Sequence, residues 1–113
     1  MGETIVTASG LRYEILVSGD GATPGPTDQV TAHYHGTFQD GRVFDSSVDR
    51  SEPLQFSVNG VIAGWTEALQ MMKEGDKWRL TVPPDLAYGA AGSGPIPGNS
   101  TLIFEVELIK VGG

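Results

Sequence analysis

The residues whose types and spacing are most informative are apolar and aromatic. A loop delivers Val61 and Ile62 into the first turn of a short predicted helix that carries Trp65, one of two tryptophans. Aromatic residues from other segments supply partners for this stretch: Tyr34, Phe44, Tyr88 and Phe104. Together they predict an aromatic-lined pocket, whose chemistry is to remove a bound polar group from water.

Residues for bond-cleaving chemistry do not form the required patterns. Cysteine is absent, which excludes disulfides, thiolate nucleophiles and cysteine-ligated zinc. The sequence Gly92-Ser93-Gly94 fails the spacing of a hydrolase nucleophile elbow, and no phosphate loop, zinc-binding helix or calcium loop occurs. His33 and His35 share one strand face opposite Tyr34, and we interpret them as a solvated pair rather than a metal chelate. We therefore expect no cofactor and no metal.

Length and charge narrow the class of protein further. The 113 residues fit one domain with its own core. The net charge of −7, from 14 acidic and 7 basic residues without a basic stripe, argues against nucleic acid as a partner. No apolar run approaches the roughly 20 residues that cross a bilayer, and the first residues lack a basic leader with an apolar core. We expect no membrane partner and a cytoplasmic location.

Most of the chain alternates apolar and polar residues with a period of two, which predicts strands. The Asp40-Gly41 pair predicts a hairpin between two of them. The strand segments are 11–17, 30–38, 42–45, 54–58, 78–82 and 101–111.

The spacing of apolar residues changes from a period of two to a helical period in one segment. Trp65, Ala68, Leu69 and Met72 follow helical spacing, which predicts one amphipathic helix from about Ile62 to Lys73 with Gly75 positioned to end it. The fold class is therefore α+β, with about five mainly antiparallel strands in a curved sheet wrapped around one short helix. Loops 46–53 and 85–100 and the helix entry converge at the pocket mouth.

Burial alone can account for several of these residues. Leu69 and Met72 are interpreted as core only, and Tyr34 and Phe104 lie on inward strand faces where packing would suffice. Tyr88 can anchor its glycine-flanked loop. Asp45, beside Ser46 and Ser47, can cap a turn.

Six motifs in this order and spacing resemble the FKBP-type peptidyl-prolyl cis/trans isomerases. The resemblance covers about Gly10 to Val111, which sets a single domain at 10–111 with an amino-terminal extension at 1–9 and a tail at 112–113. The motifs are His33-Tyr34-His35-Gly36, Asp40-Gly41, Phe44-Asp45-Ser46-Ser47, Val61-Ile62-Ala63-Gly64-Trp65, Ala87-Tyr88-Gly89-Ala90 and the segment 101–108.

The resemblance implies a role for each pocket residue. Trp65 forms the floor, with Val61 and Ile62 at the rim. Tyr88, Asp45 and the Ile62 backbone hold ligand carbonyls. The walls are Tyr34, Phe44 and Phe104, and further substrate contacts come from Arg50, Leu54, Phe56, Ala87 and Ile96. Leu54 stands where the family often has an aromatic residue, the segment from Phe56 to Val61 is short, and the loop tip 93–95 lacks a histidine; these departures bear on substrate preference and drug affinity.

The implied function is a peptidyl-prolyl isomerase. Its partners would be Xaa-Pro peptides, unfolded or proline-containing protein loops, and inhibitory macrolides of the rapamycin and tacrolimus type. The alternative is a weakly catalytic binding module, or folding helper, that uses the same pocket for a partner loop or macrolide. Residues 55–59 are too few for the inserted flap domain of chaperone-like members, and we expect a monomer.

Overall fold

The alternating segments form one antiparallel sheet in the computed structural model, which describes residues 4–48, 51–94 and 96–112. Seven strands run in the spatial order β1-β2-β6-β7-β3-β4, and β5 pairs with β3 as well. The strands are β1 (Thr4–Val6), β2 (Arg12–Val17), β3 (Gln29–Phe38), β4 (Val43–Ser46), β5 (Leu54–Ser57), β6 (Lys77–Val82) and β7 (Leu102–Val111).

One edge of β3 is shared by two short strands. β5 pairs with residues 29–32 of β3, and β4 pairs with residues 35–37. The chain that joins them leaves the sheet beside Tyr34, where the backbone N–H of Ser47 donates to the Tyr34 carbonyl at 3.0 Å. The hairpin between β3 and β4 turns at Gly41, whose φ of 91° is in the left-handed region that favours glycine.

Bulges in β4 and β7 change which side chains face the core. In β4, Asp45 lies opposite Gly36 and Val43 lies opposite Thr37, so Phe44 is an extra residue. In β7, Lys110 lies opposite Thr31 and Leu108 opposite Ala32, so Ile109 is extra. Each bulge shifts the alternation by one residue. Val111 therefore packs against the core while Ile109 is exposed.

The helix is shorter than its apolar spacing predicts. It spans Ala63–Leu69 as α1, whereas the sequence predicted Ile62 to Lys73. After Leu69 the chain tightens into turns, and the Met72 N–H still reaches the Ala68 carbonyl at 3.1 Å, which keeps the Met72 side chain buried. Glu74 hydrogen-bonds through its backbone to the loop at 21–22 instead of continuing the helix. Gly75, with φ of 94°, belongs to the turn before β6 and does not end the helix itself.

A buried carboxylate holds the loop that follows β2 against this turn. Asp76 is buried and accepts hydrogen bonds from the backbone N–H groups of Gly19 and Lys73. A Cβ on Gly19 would lie 2.2 Å from the Glu74 carbonyl oxygen, so the close approach of the two segments requires glycine there.

The core lies between one face of the sheet and α1, with Leu69, Met72, Leu80 and Leu108 among its buried side chains. The predicted α+β class, an antiparallel sheet with one short helix, is confirmed, with seven strands where about five were expected. The strand β1 lies in the segment predicted as an extension and pairs with β2. Among the described residues, no helix has the length and apolar character to cross a membrane.

Candidate active site

A cavity of about 230 Å³ opens where α1 begins, beside β3 and β4. All eight residues predicted as catalytic line it, together with Leu54 and Gly60: Tyr34, Phe44, Asp45, Leu54, Gly60, Val61, Ile62, Trp65, Tyr88 and Phe104. We call these ten residues the aromatic pocket. They come from β3, β4, β5, α1, β7 and two connecting segments, so the pocket exists only in the folded chain.

Trp65 is the centre of the aromatic cluster. Its side chain is 5 % exposed, and its ring centroid lies 5.3 Å from that of Tyr34 and 5.1 Å from that of Phe104, both edge-on. Phe44 contacts Phe104 edge-on at 5.5 Å. Edge-to-face contact is a preferred arrangement of aromatic pairs. The pocket floor is therefore closely packed and apolar.

The bulge at Phe44 explains how two consecutive residues reach the pocket. In a regular strand, neighbouring side chains point to opposite faces. The extra residue in β4 breaks that alternation, so Phe44 and Asp45 both line the cavity. A sequence read by period two alone does not reveal this arrangement.

A hydrogen bond holds the carboxylate at the mouth. The buried Tyr34 donates its hydroxyl proton to Asp45 Oδ2 at 2.6 Å, the short distance typical of an O–H bond to a carboxylate. Ser47 Oγ accepts from the Tyr34 backbone N–H at 2.7 Å. The segment 45–47 thus does both: Ser47 bonds to the backbone of β3, and Asp45 lines the pocket.

Tyr88 reaches the pocket from the loop between β6 and β7. A 3₁₀ turn at Pro84–Leu86 precedes it, and the Gly89 N–H donates back to the Pro84 carbonyl at 2.7 Å. Its ring lines the pocket and is 38 % exposed. No hydrogen bond joins its hydroxyl to another described residue, which leaves that donor available to a ligand.

Three predicted substrate contacts are not brought to the cavity wall. Phe56 packs on Trp65 at 5.6 Å between ring centroids, behind the lining. Ala87 packs partly buried against the core. Ile96 is only 7 % exposed and belongs to the core cluster, because the Ser93–Ile96 bridge folds the loop tip inward. Arg50 lies outside the described residues, so its predicted contact stays a prediction.

The pocket has one residue that the sequence analysis missed. Gly60 lines the cavity directly before Val61, and a residue without a side chain gives no chemical signal. A Cβ there would meet only the Ser57 Cβ, at 3.6 Å, so neither crowding nor backbone conformation requires glycine at this position.

The two histidines are bonded rather than simply solvated. His33 Nδ1 lies 2.9 Å from Ser47 Oγ, and His35 Nδ1 lies 2.9 Å from Ser46 Oγ. Both imidazoles are half-buried on the sheet face away from the pocket. Within residues 4–48, 51–94 and 96–112, no three histidine or carboxylate side chains form a cluster suited to a metal ion.

Comparison with known proteins places this geometry in a family. The FKBP-type peptidyl-prolyl cis-trans isomerase family matches residues 21–109. The 22 kDa FKBP-type isomerase of Escherichia coli K12 is 56 % identical over 106 residues, which cover 93 % of this chain and 52 % of that protein. The chain thus spans about half the length of this curated relative.

Solved structures agree with the sequence match. The crystal structure of FkpA from Escherichia coli superposes with a TM-score of 0.95 at 46 % identity, covering 99 % of this chain and 53 % of that chain. A peptidyl-prolyl cis-trans isomerase from Pseudomonas syringae has a TM-score of 0.92 at 40 % identity, covering 100 % of this chain and 84 % of that one. The predicted resemblance is confirmed: this chain belongs to the FKBP-type peptidyl-prolyl cis-trans isomerase family.

Proposed function

We propose that this chain accelerates rotation about Xaa-Pro bonds in peptides and folding proteins by stabilising the twisted amide without covalent chemistry. The observation that carries the proposal is the composition of the aromatic pocket. Aromatic walls surround a space of about 230 Å³, and two phenols and a carboxylate stand at its lining.

The uncatalysed reaction explains why such a pocket suffices. Rotation must break amide resonance, a barrier of about 18–20 kcal/mol, and it is slow enough to limit folding. The planar amide is polar, and twisting removes that charge separation. An apolar enclosure therefore disfavours the planar state relative to the twisted one. Each factor of ten in rate needs only about 1.4 kcal/mol of this difference.

The described contacts support a division of roles. The edge-on rings of Tyr34, Trp65 and Phe104 suit the compact proline ring. The Tyr88 hydroxyl and the Ile62 backbone N–H, which stands at the start of α1, are the donors proposed for substrate carbonyls. Neutral hydrogen bonds of this kind contribute about 0.5–1.5 kcal/mol each.

The pocket lining also supports a preference for the type of residue that precedes proline in the substrate. Leu54, Val61 and Ile62 make part of the wall aliphatic, which favours an apolar residue before proline. We propose the same pocket for macrolides of the rapamycin and tacrolimus type. The monomeric state and the cytoplasmic location stay predictions.

One observation favours the alternative of a weakly catalytic binding module. Leu54 lines the pocket and is 39 % exposed, where the resemblance implies an aromatic residue. An aliphatic side chain retains apolar contact with a ligand but gives up ring stacking, so binding would persist while turnover falls.

Two-dimensional exchange NMR on a Leu-Pro-Phe peptide, with and without rapamycin, separates these functions. Acceleration that rapamycin abolishes supports the isomerase. Rapamycin binding with uncatalysed interconversion supports the binding module. Failure of both would refute the proposed function. Tyr13→Phe is the matched control, because Tyr13 stacks on Trp78 at 4.3 Å and does not line the pocket.

A further inference from the structure

A row of polar residues crosses five strands on the sheet face away from the core. Residues that lie directly opposite one another lead from β2 to β4: Glu14, Arg79, Glu105, His35 and Ser46. We call them the outer row. Side chains that are directly opposed across a sheet interact with each other, so the row links distant strands.

The first half of the row is an ion-pair network. Arg79 donates from Nη1 to Glu14 Oε1 and from Nη2 to Glu105 Oε2, each at 3.1 Å. Lys77 Nζ lies 4.0 Å from Glu105 Oε1. The guanidinium fork fixes the Glu105 carboxylate beside His35, and the two side chains line one small cleft.

The second half reaches the segment that holds the pocket carboxylate. His35 Nδ1 lies 2.9 Å from Ser46 Oγ, and Ser46 is the residue after Asp45. The buried Ser46 hydroxyl also donates to the Tyr34 carbonyl at 3.4 Å. On the pocket side, Tyr34 donates its own hydroxyl proton to Asp45. The His35 imidazole therefore contacts β4 on the outer face of the sheet, one residue from Asp45, whose side chain lines the pocket on the opposite face.

We propose that His35 is a positioning residue of the pocket. Its hydrogen bond to Ser46 fixes β4 against β3 and thereby sets the Asp45 carboxylate opposite the Tyr34 hydroxyl. The bulge at Phe44 disrupts the backbone ladder between β3 and β4 close to this pair, so a side-chain bond at Ser46 adds a connection between the two strands. This inference rests on the proposed function only in assigning Asp45 to the catalytic pocket.

His35 is a more informative residue to change than His33. Ser47, the partner of His33, is already held by the Tyr34 backbone through its Oγ at 2.7 Å and its N–H at 3.0 Å. Removing the His33 imidazole thus leaves Ser47 anchored. Of the two Ser46 Oγ contacts with β3 given above, the one with His35 is the shorter, at 2.9 Å against 3.4 Å for the bond to the Tyr34 carbonyl.

The test compares His35→Val with His35→Asn. Valine suits a strand but cannot bond to Ser46, whereas the asparagine amide places a polar atom where Nδ1 lies. We expect His35→Val to shift the amide NMR signals of Tyr34 and Asp45 and to lower kcat/KM about fivefold, the effect of losing one hydrogen bond. His35→Asn should restore most of both. Thr37→Val, the next outward residue on the same strand face, is the control and should change neither.

A double-mutant cycle sharpens the result. In a Ser46→Ala background, His35→Val should have no further effect on kcat/KM, because the bond is already absent. Equal losses in the valine and asparagine variants would mean that the imidazole only packs, and would overturn the proposal. Wild-type signals and kcat/KM in His35→Val would overturn it too.

The NMR arm separates this inference from the proposed function. If the wild-type chain accelerates no Xaa-Pro rotation, the proposed function fails. The positioning role is then still decided by the amide signal of Asp45: a shift in His35→Val that His35→Asn reverses supports it, and an unmoved signal refutes it.

Discussion

At the residue scale, Asp45 and Tyr88 of the aromatic pocket differ in their hydrogen bonding. The Asp45 carboxylate accepts a hydrogen bond from the Tyr34 hydroxyl, so the position of the carboxylate depends on how β4 lies against β3. The Tyr88 hydroxyl bonds to no described residue and stands on a partly exposed ring. Tyr88 is therefore the residue at which substrate binding can be probed with little effect on the fold.

Tyr88→Phe should lower kcat/KM up to about tenfold while leaving the free energy of unfolding within about 0.5 kcal/mol of wild type. The hydroxyl bonds to no other described residue, so its loss should cost the folded chain little. Peptide exchange kinetics and urea denaturation measure the two quantities. Unfolding of Tyr88→Phe would refute a site role and favour the loop-anchor interpretation.

The hairpin carries a group whose ionisation responds to its neighbours. The Arg42 backbone N–H and guanidinium both donate to Asp40, at 3.0 and 2.8 Å, and they hold the pKa of this carboxyl below its ordinary value of 3.8. A folded-state pKa below the unfolded one stabilises the folded chain above the unfolded-state pKa. That contribution disappears as the pH falls through the lower folded-state pKa.

The free energy of unfolding of Asp40→Asn should therefore be slightly lower than that of wild type near neutral pH. The difference should disappear at the lowest pH. Because Asp40 is exposed, the difference is small, and NMR titration of the hairpin is the sharper measurement. We expect a midpoint below 3.8 for the Asp40 carboxyl. A midpoint at or above that value would contradict the interaction with Arg42.

At the scale of elements, the loop between β6 and β7 is ordered by its own backbone. The Asn99 N–H donates to the Gly89 carbonyl at 2.9 Å, and Ser93 and Ile96 pair through both of their backbone bonds. Ile96 anchors the tip in the core. The pocket position of Tyr88 thus depends on contacts within the loop.

Gly98→Ala should displace this loop and lower kcat/KM several-fold. The thermal midpoint of unfolding should change little. A Cβ at residue 98 would lie 1.9 Å from the Ala90 carbonyl oxygen, so the backbone must move. Kinetics and hydrogen exchange of the loop amides provide the measurement. Gly25→Ala is the matched control, since its Cβ would make only an ordinary contact of 3.5 Å with Asp28. Wild-type exchange and activity in Gly98→Ala would show that the loop packing does not position Tyr88.

The strands, the hairpin and the existence of one helix could be predicted from the sequence, because alternation and helical spacing report directly on which face is buried. The bulges at Phe44 and Ile109 could not. One extra residue barely disturbs an alternating pattern, yet it decides which of two neighbours faces the core. The end of α1 was missed for a related reason, since Glu74 bonds to a loop that is distant in sequence.

At the scale of the whole molecule, most pocket-lining residues could be predicted because they belong to the family's motifs. Contacts outside those motifs were harder to predict. Val61, Ile62 and Trp65 of the motif line the pocket as expected. Ile96 does not, because its burial depends on how the loop tip packs in three dimensions. His33 and His35 were interpreted as solvated because strand alternation places them outward. Alternation cannot show that β4 and the turn after it supply two serine partners.

The sheet and α1 share one core, so a cavity beneath the helix affects the entire fold. Leu69 is 1 % exposed, and Leu69→Ala should reduce the free energy of unfolding by about 2–5 kcal/mol. Met71→Ala, on an exposed side chain of the following turn, should change it little. Urea denaturation at 25 °C compares them. A cost below about 1 kcal/mol for Leu69→Ala would contradict its place in the core.

The position of β7 bears on how the chain is made. This strand comes last among the described elements, yet it lies in the interior of the sheet with β6 on one side and β3 on the other. During synthesis, every earlier strand emerges from the ribosome before the strand that joins the two halves of the sheet. Pairing over such long sequence separations is slow. The two halves of this sheet therefore cannot pair through β7 until residues 102–111 have emerged, so a domain proposed to assist the folding of others completes its own sheet late in its synthesis.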